Sequence, residues 1–293
     1  MTLTPVLEIG GSHVTAAVVD RSSGTVVRRA RGAVRAAGTA DEILGAIGAA
    51  ASQVAADAGA IWGAAVPGPF DYTAGIGRFH GVGKFDALNG IDVGAALRDR
   101  IDPRPAGFRF LNDAFAFGLG EWRFGGARGH DRAVAITLGT GIGSAFIHDG
   151  LPVTCGPTVP PEGRVDLLTI EGRPLEETLS TRAIVAAYGS GCATVADVAM
   201  RAADGDARAI RVLESACVGL GHALAPWLTR FDASVLVVGG GMSAAWELIA
   251  GPLRHSLPAG PTPIRSADTE TSALIGAAEY GGKASMTSND QAA

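Results

Sequence analysis

The sequence predicts an α/β fold of two related domains, and three observations lead there. A Gly-rich strand–turn–strand pattern occurs twice at one offset, as VLEIGGSHVTAAVVD over Val6–Asp20 and as AITLGTGIGSAFIHD over Ala135–Asp149. Glu8 falls on Thr137, Gly10 on Gly139 and Asp20 on Asp149 without a gap. Strand-type and helix-type segments alternate after the first copy, the pattern of an α/β layer architecture. Finally, 293 residues are enough for two domains that each bury a core, and an apolar content of 47% argues against disorder.

The elements follow in order. After the first hairpin, Thr39–Gly59 reads as a helix, with capping chemistry at Thr39 and Asp41 and a terminating Gly59. Ile61–Val66 is a short apolar strand that stops at Pro67-Gly68-Pro69, and Asp71–Gly90 is a Gly-rich loop. Ile91–Arg100 is a short helix, Phe108–Leu111 a strand ending at Asn112 and Asp113, and Ala114–Phe124 a helix. The second half restarts with the hairpin at Ala133, followed by an irregular stretch over Thr154–Pro174. Helices are predicted over Thr181–Tyr188, Thr194–Ala203 and Ala207–Phe231. Val235–Val238 is a buried-type strand opening into Gly239–Gly241, Ala244–Leu257 is helical and Ser272–Tyr280 is the last helix. The expected division is a first domain over 1–115, completed by the helix at 272–282, a second over 116–271, and a frayed tail at 285–293.

Composition excludes several classes. The net charge is -5 and no Lys/Arg run marks a nucleic-acid groove. Cys155, Cys192 and Cys217 are far apart, and the six His residues form no H-x-x-x-H pattern. A disulfide framework and a Cys- or His-based metal site are therefore not expected. The first residues lack the basic and apolar regions of a signal peptide, and no apolar run reaches membrane-spanning length without Gly or charge. A cytoplasmic protein is the expectation.

The two Gly turns carry the chemistry. Successive backbone N–H groups at such turns form concavities that bind anions. Gly10, Gly11 and Ser12 in one copy and Gly139, Thr140 and Gly141 in the other are candidate phosphate cradles. Neither is a Walker loop, and neither leads into a helix as a dinucleotide fingerprint does. Taken singly, either could be a plain hairpin turn. Asp113 ends a strand where a helix begins, a rigid place for a general base. It could equally cap that helix; the phosphate-type turn one helix later favours the base. Gly240 and Gly241 follow a buried strand and would let a flat ring or a phosphate approach the backbone.

Together these segments resemble the ROK family of sugar kinases and repressors, within the actin-like ATPase superfamily. EIGGS at Glu8–Ser12 is similar to the family's first phosphate loop and LGTGIGSA at Leu138–Ala145 to its second. VPGPFD at Val66–Asp71, LNDAFAFGLGE at Leu111–Glu121 and VLVVGGGMS at Val235–Ser243 match the sugar-domain turn, the segment of the catalytic Asp and the adenosine-side strand. The resemblance implies a two-domain actin-like (ribonuclease H-like) fold with a hinged cleft. The first domain would be the small sugar side and the second the large nucleotide side. It further implies transfer of the ATP γ-phosphoryl group to a hexose, usually at the 6-hydroxyl, as in a glucokinase. Asp113 would be the base; Asn112, Gly68, Glu162, Arg164 and Glu176 would line the sugar; Gly240 and Gly241 would flank the adenosine. ATP and Mg²⁺ are the implied cofactors, and a homodimer the implied assembly.

Three departures from the family pattern stand out. Glu8 replaces the usual Asp and would reach Mg²⁺ through water. The E-x-G-H element should lie at PPEGRV, where Gly163 fits, Arg164 takes the His position, and the Glu is either Glu162 out of register or lost. The Cys-rich zinc loop is missing, so no zinc is expected, although Glu176 and Ser180 keep the following L-E-x-x-x-S pattern. These changes leave open an amino-sugar kinase, such as one for kanosamine, a polyphosphate-using glucokinase, or a non-catalytic sugar sensor. The repressor branch is not expected, because the first strand begins by Val6 and leaves no room for a helix-turn-helix.

Overall fold

The computed structural model describes residues 1–170, 172–189, 191–257 and 260–283, so the tail expected at 285–293 lies outside the described residues. The chain divides into two compact units, Met1–Gly120 with the segment from Glu270 onward, and Glu121–Thr269.

The first unit opens with β1 (Leu3–Ile9) and β2 (His13–Asp20), paired antiparallel across the Gly10–Ser12 turn. Both are buried nearly end to end, which is why they read as unbroken apolar runs. An edge strand, β3 (Thr25–Ala33), pairs with β2. It is mostly exposed and carries Arg28, Arg29 and Arg31, so it lacks the apolar alternation by which strands are recognised. Then α1 (Ala40–Ser52) starts on a capping box in which Thr39 and Glu42 each satisfy the other's backbone N–H. It stops short of the predicted Gly59. The Gln53 N–H already bonds back to Ala50 and Ala51, and the Gly59 N–H is taken by the Arg104 carbonyl at 3.0 Å.

Next come β4 (Ile61–Val66), a two-residue hairpin of β5 (Phe70–Asp71) and β6 (Ile76–Gly77), α2 (Val93–Arg98), β7 (Gly107–Asn112) and α3 (Asp113–Phe124). The hairpin sits inside the stretch predicted as loop, where each strand is too short to show a period. The sheet order is β3-β2-β1-β4-β7, with β1, β4 and β7 mutually parallel. Their C-terminal ends therefore share one edge, where ligands bind in open α/β sheets.

In the second unit β8 (Arg132–Leu138), β9 (Ile142–His148) and β10 (Leu151–Pro152) form an antiparallel run. Thr154–Pro174 holds short 3₁₀ turns and a small hairpin of β11 (Thr169–Ile170) and β12 (Arg173–Pro174). Helices α4 (Glu176–Leu179), α5 (Thr181–Tyr188), α6 (Val195–Ala203) and α7 (Ala207–Phe231) follow, then β13 (Val235–Gly239), a 3₁₀ turn at Gly241–Ala245, α8 (Trp246–His255) and β14 (Pro263–Arg265). The sheet order is β10-β9-β8-β13-β14, and the fully buried stripe of α7, from Leu213 through Leu220 and Leu224 to Phe231, packs in its core. The helix predicted from Ala244 starts two residues later, because residues 241–245 wind as 3₁₀.

The chain closes with α9 (Thr269–Gly281), which is buried on nearly every face and shows almost no amphipathic stripe. In the first unit it crosses α3 backbone to backbone. A Cβ at Gly276 would run into the Ala116 carbonyl, and one at Gly120 into that of Ser272. Only Gly permits that approach.

Candidate active site

In the first unit the sheet's C-terminal edge gathers the predicted groups. The Gly10 N–H bonds the His13 carbonyl at 2.8 Å, which closes the turn, while Gly11 and Ser12 are exposed. Glu8 lies opposite Thr15, and Thr15 opposite Arg31, in one row across three strands. The buried Thr15 hydroxyl donates to Glu270 Oε1 at 2.5 Å, and Arg31 Nη1 stands 3.8 Å from Glu270 Oε2. His13 Nε2 lies 3.8 Å from Glu8 Oε2, an oxygen that is buried and accepts no hydrogen bond from the described residues. Burial, reinforced by the charges of Glu270 and Asp113 and opposed by Arg31, pushes the Glu8 carboxyl up to about 7. Burial together with Arg31 pulls His13 below its ordinary value.

Asn112 and Asp113 stand at the junction of β7 and α3. Asn112 Oδ1 accepts the Ala114 N–H at 3.0 Å and the Phe115 N–H at 3.3 Å, so Asn112 supplies the helix cap. Its Nδ2 donates to the Tyr72 hydroxyl at 3.1 Å, and that hydroxyl donates to the Val66 carbonyl at 3.1 Å. This chain of bonds ties the ends of β4 and β7 beside Gly68. Asp113 Oδ1 accepts the Ala114 N–H at 2.9 Å. Burial raises the Asp113 pKa, against the Ala114 N–H and the Lys84 charge, which lower it.

In the second unit the Gly139–Gly141 turn joins β8 to β9. Thr181, the first residue of α5, donates both its N–H and its hydroxyl to the Gly139 carbonyl, at 3.0 and 2.7 Å. The Ile142 N–H reaches Glu176 Oε1 at 3.3 Å, which brings Glu176 to the end of this turn. Gly240, at the end of β13, has φ +84°, and a Cβ there would overlap the Leu138 backbone at the end of β8. Beside Gly241 opens a cavity of about 400 Å³, lined by Val195, Ala199, Met200, Met242, Ala245 and Leu248, with Glu247 as its charged member.

The segment predicted to hold the family's E-x-G-H element folds as a tight turn. Glu162 is left-handed, at φ 58° and ψ 15°. The Arg164 guanidinium forks onto Asp166, with Nε–Oδ1 at 3.2 Å and Nη2–Oδ2 at 2.6 Å, and Nη1 lies 3.5 Å from Glu162 Oε2.

Sequence reasoning did not reach His13, Thr15, Arg31, Tyr72, Lys84, Asp166, Thr181 or Glu270. Thr15 left a signal, a polar residue inside an apolar strand. Glu270 reaches Thr15 only through the final helix.

Comparison with known proteins gives the family. The ROK family pattern matches residues 5–287. This chain belongs to the ROK family. It is 33% identical over 218 residues to a glucokinase of Thermotoga maritima, covering 65% of this chain and 67% of that protein. Other curated glucokinase relatives are spanned over about half their length. A ROK family glucokinase from Streptomyces griseus, solved with glucose and AMPPNP, aligns at TM-score 0.72 and 26% identity over 94% of this chain and 98% of that one. An inorganic polyphosphate/ATP-glucomannokinase from Arthrobacter sp. strain KM aligns at TM-score 0.71 and 25% identity over 96% and 98%. The fold is therefore the actin-like ATPase fold of ROK proteins.

Proposed function

We propose that this protein is an ATP-dependent hexose kinase acting at the sugar 6-hydroxyl. The observation that carries this is Asp113, a carboxyl at the β7–α3 junction whose burial makes it more basic, beside Asn112, which bonds the Ala114 and Phe115 amides at the helix start. A general base needs such a raised affinity for the proton. Asp113 takes the hydroxyl proton, the sugar oxygen bonds to the γ-phosphorus, and the bond to ADP breaks. The transition state is loose, so catalysis rests on positioning and charge stabilisation. The amides of Gly11, Ser12, Thr140 and Gly141 bind phosphoryl oxygens, whereas those of Gly10 and Gly139, expected to join them, close their own turns on the His13 and Gly141 carbonyls. Glu162 and Glu176 accept hydrogen bonds from sugar hydroxyls, with Gly68 and Asn112 on the strand edge of the first unit.

Magnesium bound with the donor phosphates would neutralise their charge. The bare, buried Glu8 Oε2 fits a ligand to one of its waters. Among the described residues no group of three His, Cys, Asp or Glu forms a complete metal cage, which is compatible with an ion held mainly by phosphate and water. Zinc is not part of this reading; elemental analysis showing one tightly held zinc per chain would refute that point.

The apolar cavity beside Gly241 supports ATP over polyphosphate, because it suits a flat base and offers no cation to a phosphate chain. A second reading, an amino-sugar acceptor, is favoured by Arg164. Its charge is engaged by Asp166 and Glu162, so carboxylates outnumber cations along the 162–176 segment. We propose a cytoplasmic homodimer; among the described residues no helix is long and apolar enough to cross a membrane. Sugar-dependent ADP release tests the function, with glucose, mannose, glucosamine and kanosamine as acceptors and ATP or polyphosphate as donor. No release with any pair would leave the sugar-sensor reading instead.

A further inference from the structure

One hydroxyl in the second unit stands within the run Ile142–Ile147 of β9, whose other residues are apolar or Gly. Along β9 the side chains of Ile142, Ser144 and Phe146 alternate onto the core face, and all three are buried. Ser144 is 4% exposed. Its hydroxyl donates to the Gly163 carbonyl at 2.8 Å and accepts the Val165 N–H at 2.9 Å. A buried hydroxyl needs such partners, and here both belong to the turn that carries Glu162 and Arg164. With Gly163 and Val165 fixed, Arg164 between them and Glu162 just before them are fixed as well. The first residue of the same strand holds Glu176, through the Ile142 N–H. Two residues of β9, Ile142 and Ser144, directly after the Gly139–Gly141 turn, thus anchor Glu176 and the turn that carries Glu162 and Arg164.

We infer that Ser144 is a positioning residue for the acceptor sugar: it pins the 162–166 turn to the strand that leaves the phosphate loop. This rests on the kinase reading, in which that turn faces the sugar. Phosphoryl transfer is sensitive to the placement of the two reactants, so a pin common to loop and wall sets where the acceptor lies.

The test is steady-state kinetics of Ser144→Ala, with the better of glucose and glucosamine as acceptor and both substrates varied. Loss of the pin raises the sugar KM by about tenfold and leaves kcat and the ATP KM within about twofold. Hydrogen exchange read on the same variant becomes faster in peptides over 160–167 and is unchanged in α7. Ser144→Thr keeps a hydroxyl and recovers much of the sugar KM. If the Ala variant does not fold, Ser144→Cys, of similar size with a weak donor and acceptor, takes its place. An unchanged sugar KM in a folded variant overturns the inference, as does faster exchange spread over the whole unit. Wild-type protein without sugar-dependent ADP release refutes the kinase reading instead. The exchange comparison then still decides whether Ser144 pins the turn.

Discussion

Glu8→Gln should stabilise the protein, and more so as pH rises. Glu8 has a folded pKa of about 7 against an ordinary 4.5, because its carboxyl is buried and faces Glu270 and Asp113. An acid whose pKa is raised on folding binds its proton more tightly in the native state. Its ionisation therefore opposes folding, beginning above the unfolded pKa and reaching full effect above the folded one. The cost worked from these values is about 1 kcal/mol at pH 5 and about 3 kcal/mol at pH 8. Gln has nearly the same shape and no charge, so the variant escapes this cost. For a unit of this size the gain corresponds to several degrees in melting temperature at pH 8, with a much smaller shift at pH 5. The assay is thermal unfolding of wild type and variant at both pH values, without nucleotide or metal. A melting difference equal at pH 5 and pH 8, or a less stable variant at pH 8, would refute the reasoning.

Asp113→Asn should lower kcat by roughly 10²–10⁴ without lowering the melting temperature, since Asn112 keeps the helix cap and a desolvated charge is removed; near-wild-type turnover would remove the proposed base. Arg164→His should alter the ranking of kcat/KM among glucose, mannose and glucosamine, because it frees Asp166 and Glu162 from their shared cation. An unchanged ranking would mean that Arg164 takes no part in sugar choice. Gly276→Ala should destabilise by at least about 1–3 kcal/mol, because its Cβ would meet the Ala116 backbone rather than a side chain that can rotate away. A melting temperature equal to wild type would show that α3 and α9 can part at no cost.

Local chemistry was legible in the sequence wherever it repeats or punctuates. The duplicated hairpins appear as β1–β2 and β8–β9, because buried strands flanking a Gly turn are apolar throughout. Helix α5 starts and stops where predicted, since Ser180 caps it and Gly189 ends it at φ 97°. The strand β3 stayed hidden because an exposed edge strand full of Arg has no apolar period. The β5–β6 hairpin was hidden for a different reason, its two-residue strands.

By itself, then, the sequence determined the fold class, the two Gly turns and the candidacy of Asp113, since each depends on neighbours within a few residues along the chain. Only the tertiary structure decided that Asn112 takes the cap and Tyr72 anchors it, because β4 and β7 bring those side chains together. It alone decided the environment of Glu8, whose raised pKa comes from burial and from Glu270 on the last helix. It alone engaged Arg164 with Asp166 and gave Ser144 a turn to hold. Burial, electrostatic coupling and a hydroxyl's choice of partner all depend on distance in space, which sequence spacing does not carry.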